Sequence, residues 1–505
     1  MKRSATILYS SVFLAAASSA PMTSAASTVL AGQTPTFPTQ VGINTGPNIL
    51  NRTSAMALST SRPPIRLQVP AGCAMPKVPL NAFYVDVVNG NDTTGNGSEA
   101  KPWKTLTTVL RTKVASYVND RTGKQIVSAG VVKGGDVIYL KSGNYGSIRY
   151  DGMSNTDFLT IAAAPRATPV IEGWTSYGAT GKLIFKGLTF KKGGLTVRSL
   201  ATAHDIIIDG NTFTQGAEAA NWTPAQWNAS PMAATSIEGT CTTHINNVAR
   251  FIGFGYQVGG DKALLKNNVV DFYNGDGIRF WADNTTIVGN VVANHYGKTG
   301  SANHNDAMQG WKLDGKPANN LVIDSNVVIE STAKYTEIPP IPTGNGSDYT
   351  QGISIFDGIW NNITATNNVI IGSAYHGLSF YGAQGGLIAN NVVISAQADG
   401  KRPFWIKIAN RKDGVLTKNV VVRNNIANGV LIDSPKTTIS DHNLVTTKPA
   451  DYFVAFDRSK GAYDFHLKPN AATVGAGLAT LAPTTDITGA KRITAMDAGA
   501  YDYRF

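Results

Sequence analysis

One phrase returns along this chain: Asn followed by a pair of β-branched or apolar residues. It is present at Asn211-Thr212-Phe213, Asn246-Asn247-Val248, Asn267-Asn268-Val269-Val270 and Asn290-Val291-Val292. It continues through Asn326-Val327-Val328, Asn367-Asn368-Val369-Ile370, Asn390-Asn391-Val392-Val393, Asn424-Asn425-Ile426 and Asn443-Leu444-Val445. The shortest returns are about 22 residues, the length of one solenoid coil. A coil of this size cannot bury its apolar face alone, whereas stacked coils share one continuous core. An Asn repeated at the same turn can form a ladder of side-chain amides, each bonded to the coils above and below. The spacing therefore predicts an all-β chain, a parallel β-helix.

Composition agrees with this. Only 15% of the 505 residues are charged, and 51 glycines together with Asn-rich turns punctuate short Val/Ile/Thr runs. Helical periodicity is confined to one stretch, which predicts a capping helix over 105–119. A solenoid grows without splitting, so the length does not argue for several domains.

Lys2 and Arg3 precede an apolar run from Ile7 to Ala17, followed by Thr23-Ser24-Ala25-Ala26. That pattern reads as a secretory signal peptide over 1–26, too short to span a bilayer, and predicts a secreted or periplasmic protein without a membrane anchor. Residues 27–80 are a Pro/Ser/Thr-rich extension, expected to drape over the solenoid or to stay mobile. Cys73 and Cys241 are the two thiols; in an oxidising compartment they can bridge, and otherwise they are isolated small residues. The net charge of +11 is spread rather than blocked. It matches an extracellular polyanion better than nucleic acid. The expected partner is an acidic polysaccharide, bound by a monomer.

Order resumes at Phe83-Tyr84-Val85-Asp86, then Asn89-Gly90-Asn91-Asp92 and Lys101-Pro102-Trp103-Lys104-Thr105-Leu106, and after the helix at Gly134-Gly135-Asp136-Val137-Ile138-Tyr139-Leu140. This opening resembles that of secreted right-handed β-helix proteins of the pectate-lyase-like superfamily. Asp464-Phe465-His466-Leu467-Lys468-Pro469 and Asp497-Ala498-Gly499-Ala500-Tyr501 are similar to the closing phrases of such proteins. The resemblance implies one right-handed β-helix over 81–505: N-terminal cap and first coils to 180, central coils over 181–445, and C-terminal coils and cap over 446–505. It implies a carbohydrate-active context but no single reaction, because lyases, hydrolases, epimerases and binding proteins share this fold.

Aligning coils on their Asn reveals a second strand in each. These are Asp276–Trp281, Asp306–Trp311, Gln351–Phe356, His376–Tyr381 and Arg402–Lys407. Period-two alternation sends Ile278, Met308, Ile353 and Leu378 inward. The outward columns then read Arg279, Gln309, Ser354, Ser379, Trp405 and Trp281, Trp311, Phe356, Tyr381, Lys407. Aromatic rings beside polar donors suit a sugar-binding face, to which Lys312 and Gln351 are added. Insertions at 298–305, 333–349 and 398–402 precede these strands and are expected to wall a cleft.

Clustered titratable groups on one face favour an enzyme over a non-catalytic carbohydrate-binding or adhesin solenoid. A uronate lyase needs its C6 carboxylate neutralised and its C5 proton abstracted. Arg279, Arg402 and Lys407 are candidates for the first task, and His304, His376 or Tyr381 for base or acid, with Asp306 orienting His304. Calcium held by Asp276 and Asp306 is an alternative neutraliser. The same two carboxyls, if stacked, would instead suit a retaining glycoside hydrolase.

Overall fold

The computed structural model describes residues 67–504, except 116, 120–124, 128, 151, 199–201, 217, 220–221, 223, 230–231, 296–304, 333–349, 397–403, 458–461 and 494–495. The signal peptide, most of the extension and the loop insertions lie outside the described residues.

Each coil contributes one strand to each of three parallel sheets. In one coil Leu264–Lys266 lies in sheet 1, Val269–Tyr273 in sheet 2 and Ile278–Phe280 in sheet 3. The next coil repeats the order with Thr286–Val288, Val291–His295 and Asp306–Gly310. Among the described residues sheet 2 has 12 strands and sheet 3 has 11. The chain is a right-handed parallel β-helix, the hand that right-twisted strands favour for parallel crossovers. Ile278, Met308, Ile353 and Leu378 all point into the bore, where they are fully buried. No helix among the described residues is long and apolar enough to cross a membrane.

The Asn ladder forms as the repeat predicts, between sheets 1 and 2. The backbone N–H and side-chain amide of Asn247 both donate to Oδ1 of Asn268, which does the same to Asn290. The relay runs on through Asn326, Asn368, Asn391 and Asn425 to Asn443. The residue before each rung has positive φ: Asn246 (57°), Asn267 (52°), Gly289 (66°), Asn367 (54°), Asn390 (56°), Asn424 (55°). That explains the doubled Asn: the first residue tolerates the left-handed corner, and the second bonds across coils.

The capping helix is shorter than predicted, covering only Leu106–Thr112, and Tyr117–Asn119 pairs antiparallel with Gln125–Val127. Leu106, Val109 and Leu110 close the first coil. Beyond Lys113 the β-branched Val114 bridges to Val132, and strand-forming residues take over from helix.

The far end also departs from expectation. After Leu444–Val445 no further coil forms, and Phe453–Asp457 pairs antiparallel with Ala462–Leu467. Phe453, Tyr463, Phe465, Ala498, Ala500 and Tyr501 fold back over the outer face of sheet 2, against Val327, Val369, Val392 and Ile426. Those outward valines give sheet 2 a second apolar face, which has to be covered.

Residues 67–80 strap the outside of sheet 1. Leu67, Val69 and Ala74 cover Phe158, Ile184 and Ile207, the Ala74 N–H donates to Asp205 Oδ1 (3.2 Å), and Cys73 is bonded to Cys241. The disulfide closes a span of 168 residues, and the double variant Cys73→Ser/Cys241→Ser is expected to lose about 2–4 kcal/mol in denaturant unfolding. An unchanged midpoint would show that the strap holds by its apolar contacts alone.

Candidate functional site

The outward row of sheet 3 is set by register. Arg279 pairs with Gln309, Gln309 with Ser354, Ser354 with Ser379 and Ser379 with Lys407. Beside it runs an aromatic row. Trp281 and Trp311 stack at 5.1 Å between centroids, 20° from parallel. Gly259 makes room for this stack, since a Cβ there would sit 2.2 Å from the Trp281 indole nitrogen.

Arg279 is the most constrained polar group on the face. Its Nε donates to Asp276 Oδ2 at 2.5 Å, and its guanidinium lies 4.1 Å from the Phe254 ring centre and 5.8 Å from that of Trp311. Cation–π contact and a buried carboxylate together fix the planar fork. Its two Nη groups meet no acceptor among the described residues and remain available to an anion.

Asp276 and Asp306 are both buried, yet each carboxyl meets the outward side chain three residues on, Arg279 and Gln309 respectively. The Asp306 N–H donates to Asp276 Oδ1 (2.8 Å), and Gln309 Nε2 donates to Asp306 Oδ2 (3.0 Å). Burial raises the Asp276 carboxyl, against the opposing effects of Arg279 and the Asp306 N–H. Burial, and then the charge of Asp276, push Asp306 well above the usual carboxylate range. Asp306 Oδ1 is buried without a hydrogen-bond partner within ordinary distance among the described residues. Burial disfavours charge on both carboxyls, and the Arg279 guanidinium opposes that effect at each. Both carboxyls that the retaining-hydrolase reading would use are buried, and Asp276 is engaged by Arg279 and by the Asp306 N–H. At this pair Arg279 sets its own positive charge against Asp276, and the described residues contain no cluster of three or more acidic, His or Cys groups.

A second cluster lies farther along the row. The His376 ring stands 5.0 Å from Phe356, 6.2 Å from Tyr381 and 5.7 Å from Trp405. Its Nδ1 is 2.9 Å from the Ser379 hydroxyl and accepts from the Trp405 indole N–H at 3.4 Å. An indole N–H only donates, so neutral His376 carries its proton on Nε2 and its lone pair is engaged. Burial and the nearby Asp433 raise the Tyr381 hydroxyl above its ordinary value, which keeps it a donor. Lys407 pairs with Asp433 at 3.5 Å.

The last strand corrects the predicted columns. Trp405 pairs with His376 and Lys407 with Ser379, while Ala409 stands beside Tyr381. The slip is two residues, which alternation cannot detect because both registers keep the same parity. Gly377 accommodates it: a Cβ there would meet Val393 at 2.3 Å and the buried Phe404 ring at 2.9 Å. Gln351 is corrected as well; it is buried, and its Oε1 accepts from Ser354. Lys312 is committed to Asp314 at 3.2 Å. His304, Arg402 and the walls 298–304, 333–349 and 398–402 lie outside the described residues.

Phe254, the platform under Arg279, and Gln257, the preceding member of its row, were missed. Phe254-Gly255-Tyr256-Gln257-Val258 carries the same alternation one coil earlier, and that signal could have found them.

No protein-family model matches the chain, and no curated protein sequence is similar to it. Solved structures are similar in fold. Pectate lyase Pel9A matches with a TM-score of 0.46 and 16% identity, over 86% of this chain and 99% of its own. A rhamnogalacturonan lyase matches with a TM-score of 0.44 and 13% identity, over 77% and 95%. XylC in complex with xylose matches with a TM-score of 0.43 and 11% identity, over 83% and 98%. By its own three parallel sheets and its Asn ladder, the chain is a right-handed parallel β-helix.

Proposed function

We propose that this is an exported polysaccharide lyase that cleaves an acidic, uronate-containing chain by β-elimination. One observation carries the reading: an outward guanidinium, locked by a buried carboxylate and two aromatic rings, with both Nη groups available. Such a fork matches a sugar carboxylate, and neutralising that carboxylate acidifies the neighbouring C5–H. A base takes the C5 proton, its electron pair forms the C4–C5 double bond, and the C4–O bond breaks as the glycosidic oxygen gains a proton.

Strand spacing argues against one candidate base. His376 is three strands from Arg279, about 14 Å at ordinary strand spacing, beyond direct proton transfer on the same sugar. His304 is two residues ahead of Asp306 in sequence, and we assign it the proton abstraction. His376, Tyr381, Trp405 and Lys407 then serve as donors and stacking surface for sugars farther along.

Incubation with polygalacturonate, alginate and glycosaminoglycans, followed by the ultraviolet absorbance of the conjugated double bond, tests the reaction. Saturated products would point to hydrolysis, and binding without product to a carbohydrate-binding solenoid. Trp311→Ala is expected to weaken oligosaccharide binding by about 1–3 kcal/mol; full affinity in a folded variant would place the site elsewhere.

A further inference from the structure

The row through Arg279 begins five strands earlier. Arg149 pairs with Thr175, Thr175 with Thr196, Thr196 with Ser236, Ser236 with Gln257 and Gln257 with Arg279. Every member can donate a hydrogen bond, and none is apolar. At the start of the row, Ser147–Tyr150, Gly173–Tyr177 and Leu195–Arg198 floor a cavity of about 490 Å³. Arg149, Lys192, Tyr177 and both threonines line it, with Glu172 at one side. Glu172 accepts from the Asn144 side chain (3.1 Å), and the Arg149 guanidinium lies 5.3 Å from the Tyr177 ring centre. The cavity thus repeats the elements found around Arg279: a guanidinium on an aromatic ring, beside polar donors on a flat parallel sheet.

We propose that this cavity is a second subsite for the carboxylate of a uronic acid residue, occupied by the same chain that Arg279 grips. The inference rests on reading the Arg279 face as a polyuronate site. Five strand steps put the two guanidinium positions about 24 Å apart, a distance that a hexasaccharide laid along the row can cover. Once one end is held, the second contact becomes intramolecular, so affinity should rise with chain length.

The test is calorimetric titration of size-defined oligogalacturonates and oligoguluronates, trimer to decamer, into the full-length protein. The variants are Arg149→Ala/Lys192→Ala and, as a single surface change, Lys192→Glu, each checked by thermal melting. The natural protein should bind the decamer at least roughly tenfold tighter than the trimer. The double variant should lose that difference and keep trimer affinity, and Lys192→Glu should reduce it. Equal affinity for trimer and decamer in the natural protein, or a length dependence that survives both variants, overturns the second subsite. Unsaturated product alongside such a result leaves the elimination standing. Length-dependent binding lost in the variants, with no unsaturated product, refutes the elimination alone. No binding of either series overturns both.

Discussion

Replacing Arg279 by lysine is expected to lower kcat/KM on an acidic polysaccharide by about 10²-fold or more, with the fold intact. The guanidinium holds Asp276 through Nε, and its two Nη groups meet no acceptor among the described residues. Lysine keeps a positive charge for Asp276 but has a single donor centre, so it cannot hold that carboxylate and a sugar carboxylate in one plane. Arg279→Ala should lose activity at least as far and should also lose stability, because a buried carboxylate is left without its counter-charge. The sign of its pH dependence follows. Asp276 is already raised by burial, and Arg279 is the charge that opposes the rise. Without Arg279 the folded-state value climbs further above the unfolded one, so stability falls as pH rises between the two values and recovers as acid protonates Asp276. Chemical denaturation of this variant at acid and neutral pH checks the second effect, and steady-state kinetics of the lysine variant checks the first. Lysine activity within a few-fold of the natural protein would remove Arg279 from the reaction.

The fold was legible because its strongest determinants are local and repeated. Asn at the ladder rung and a residue tolerant of positive φ before it impose the same corner coil after coil, and apolar parity in Ile278, Met308, Ile353 and Leu378 assigns the inner face. Two kinds of information were not carried this way. Register within a strand is invisible to alternation when the slip is two residues, and so Trp405 stands beside His376 and Lys407 beside Ser379, each one outward place from its expected neighbour. Sequence parity also assigns a direction but not an environment. Arg279 was legible as outward-facing, whereas the Phe254 platform, the shared burial of Asp276 and Asp306, and the engagement of the His376 lone pair by Trp405 depend on contacts between coils. The closing phrases were expected to carry C-terminal coils and a cap, but their aromatic residues cover sheet 2 instead of extending the coil.

Substitution of Asn368 by leucine should destabilise the protein by about 3–5 kcal/mol, the largest loss expected from a single side chain in the ladder. Asn368 Oδ1 accepts from the Asn326 backbone N–H and from its side-chain amide, both at 3.0 Å. Its own amide donates to Ile323 O and to Asn391 Oδ1, both at 2.9 Å. Leucine matches its size but silences four bonds and leaves the Asn326 donors and the Ile323 carbonyl buried with no water to replace the partner. The terminal rung is the internal control. Asn443 also makes four bonds, accepting twice from Asn425 and donating to Val422 O and Ser440 Oγ, but it is only partly buried, so solvent can take over its role. Asn443→Leu should therefore cost about 1 kcal/mol, comparable to an ordinary net hydrogen bond. The comparison isolates burial from chemistry, since the residue type and the corner geometry are the same at both rungs. Equal unfolding free energies for the two variants in guanidinium titrations would mean that the ladder follows the corner geometry without holding the coils together. A gradient from centre to end would mean that the repeated Asn stabilises the stack on which the Arg279 row is displayed.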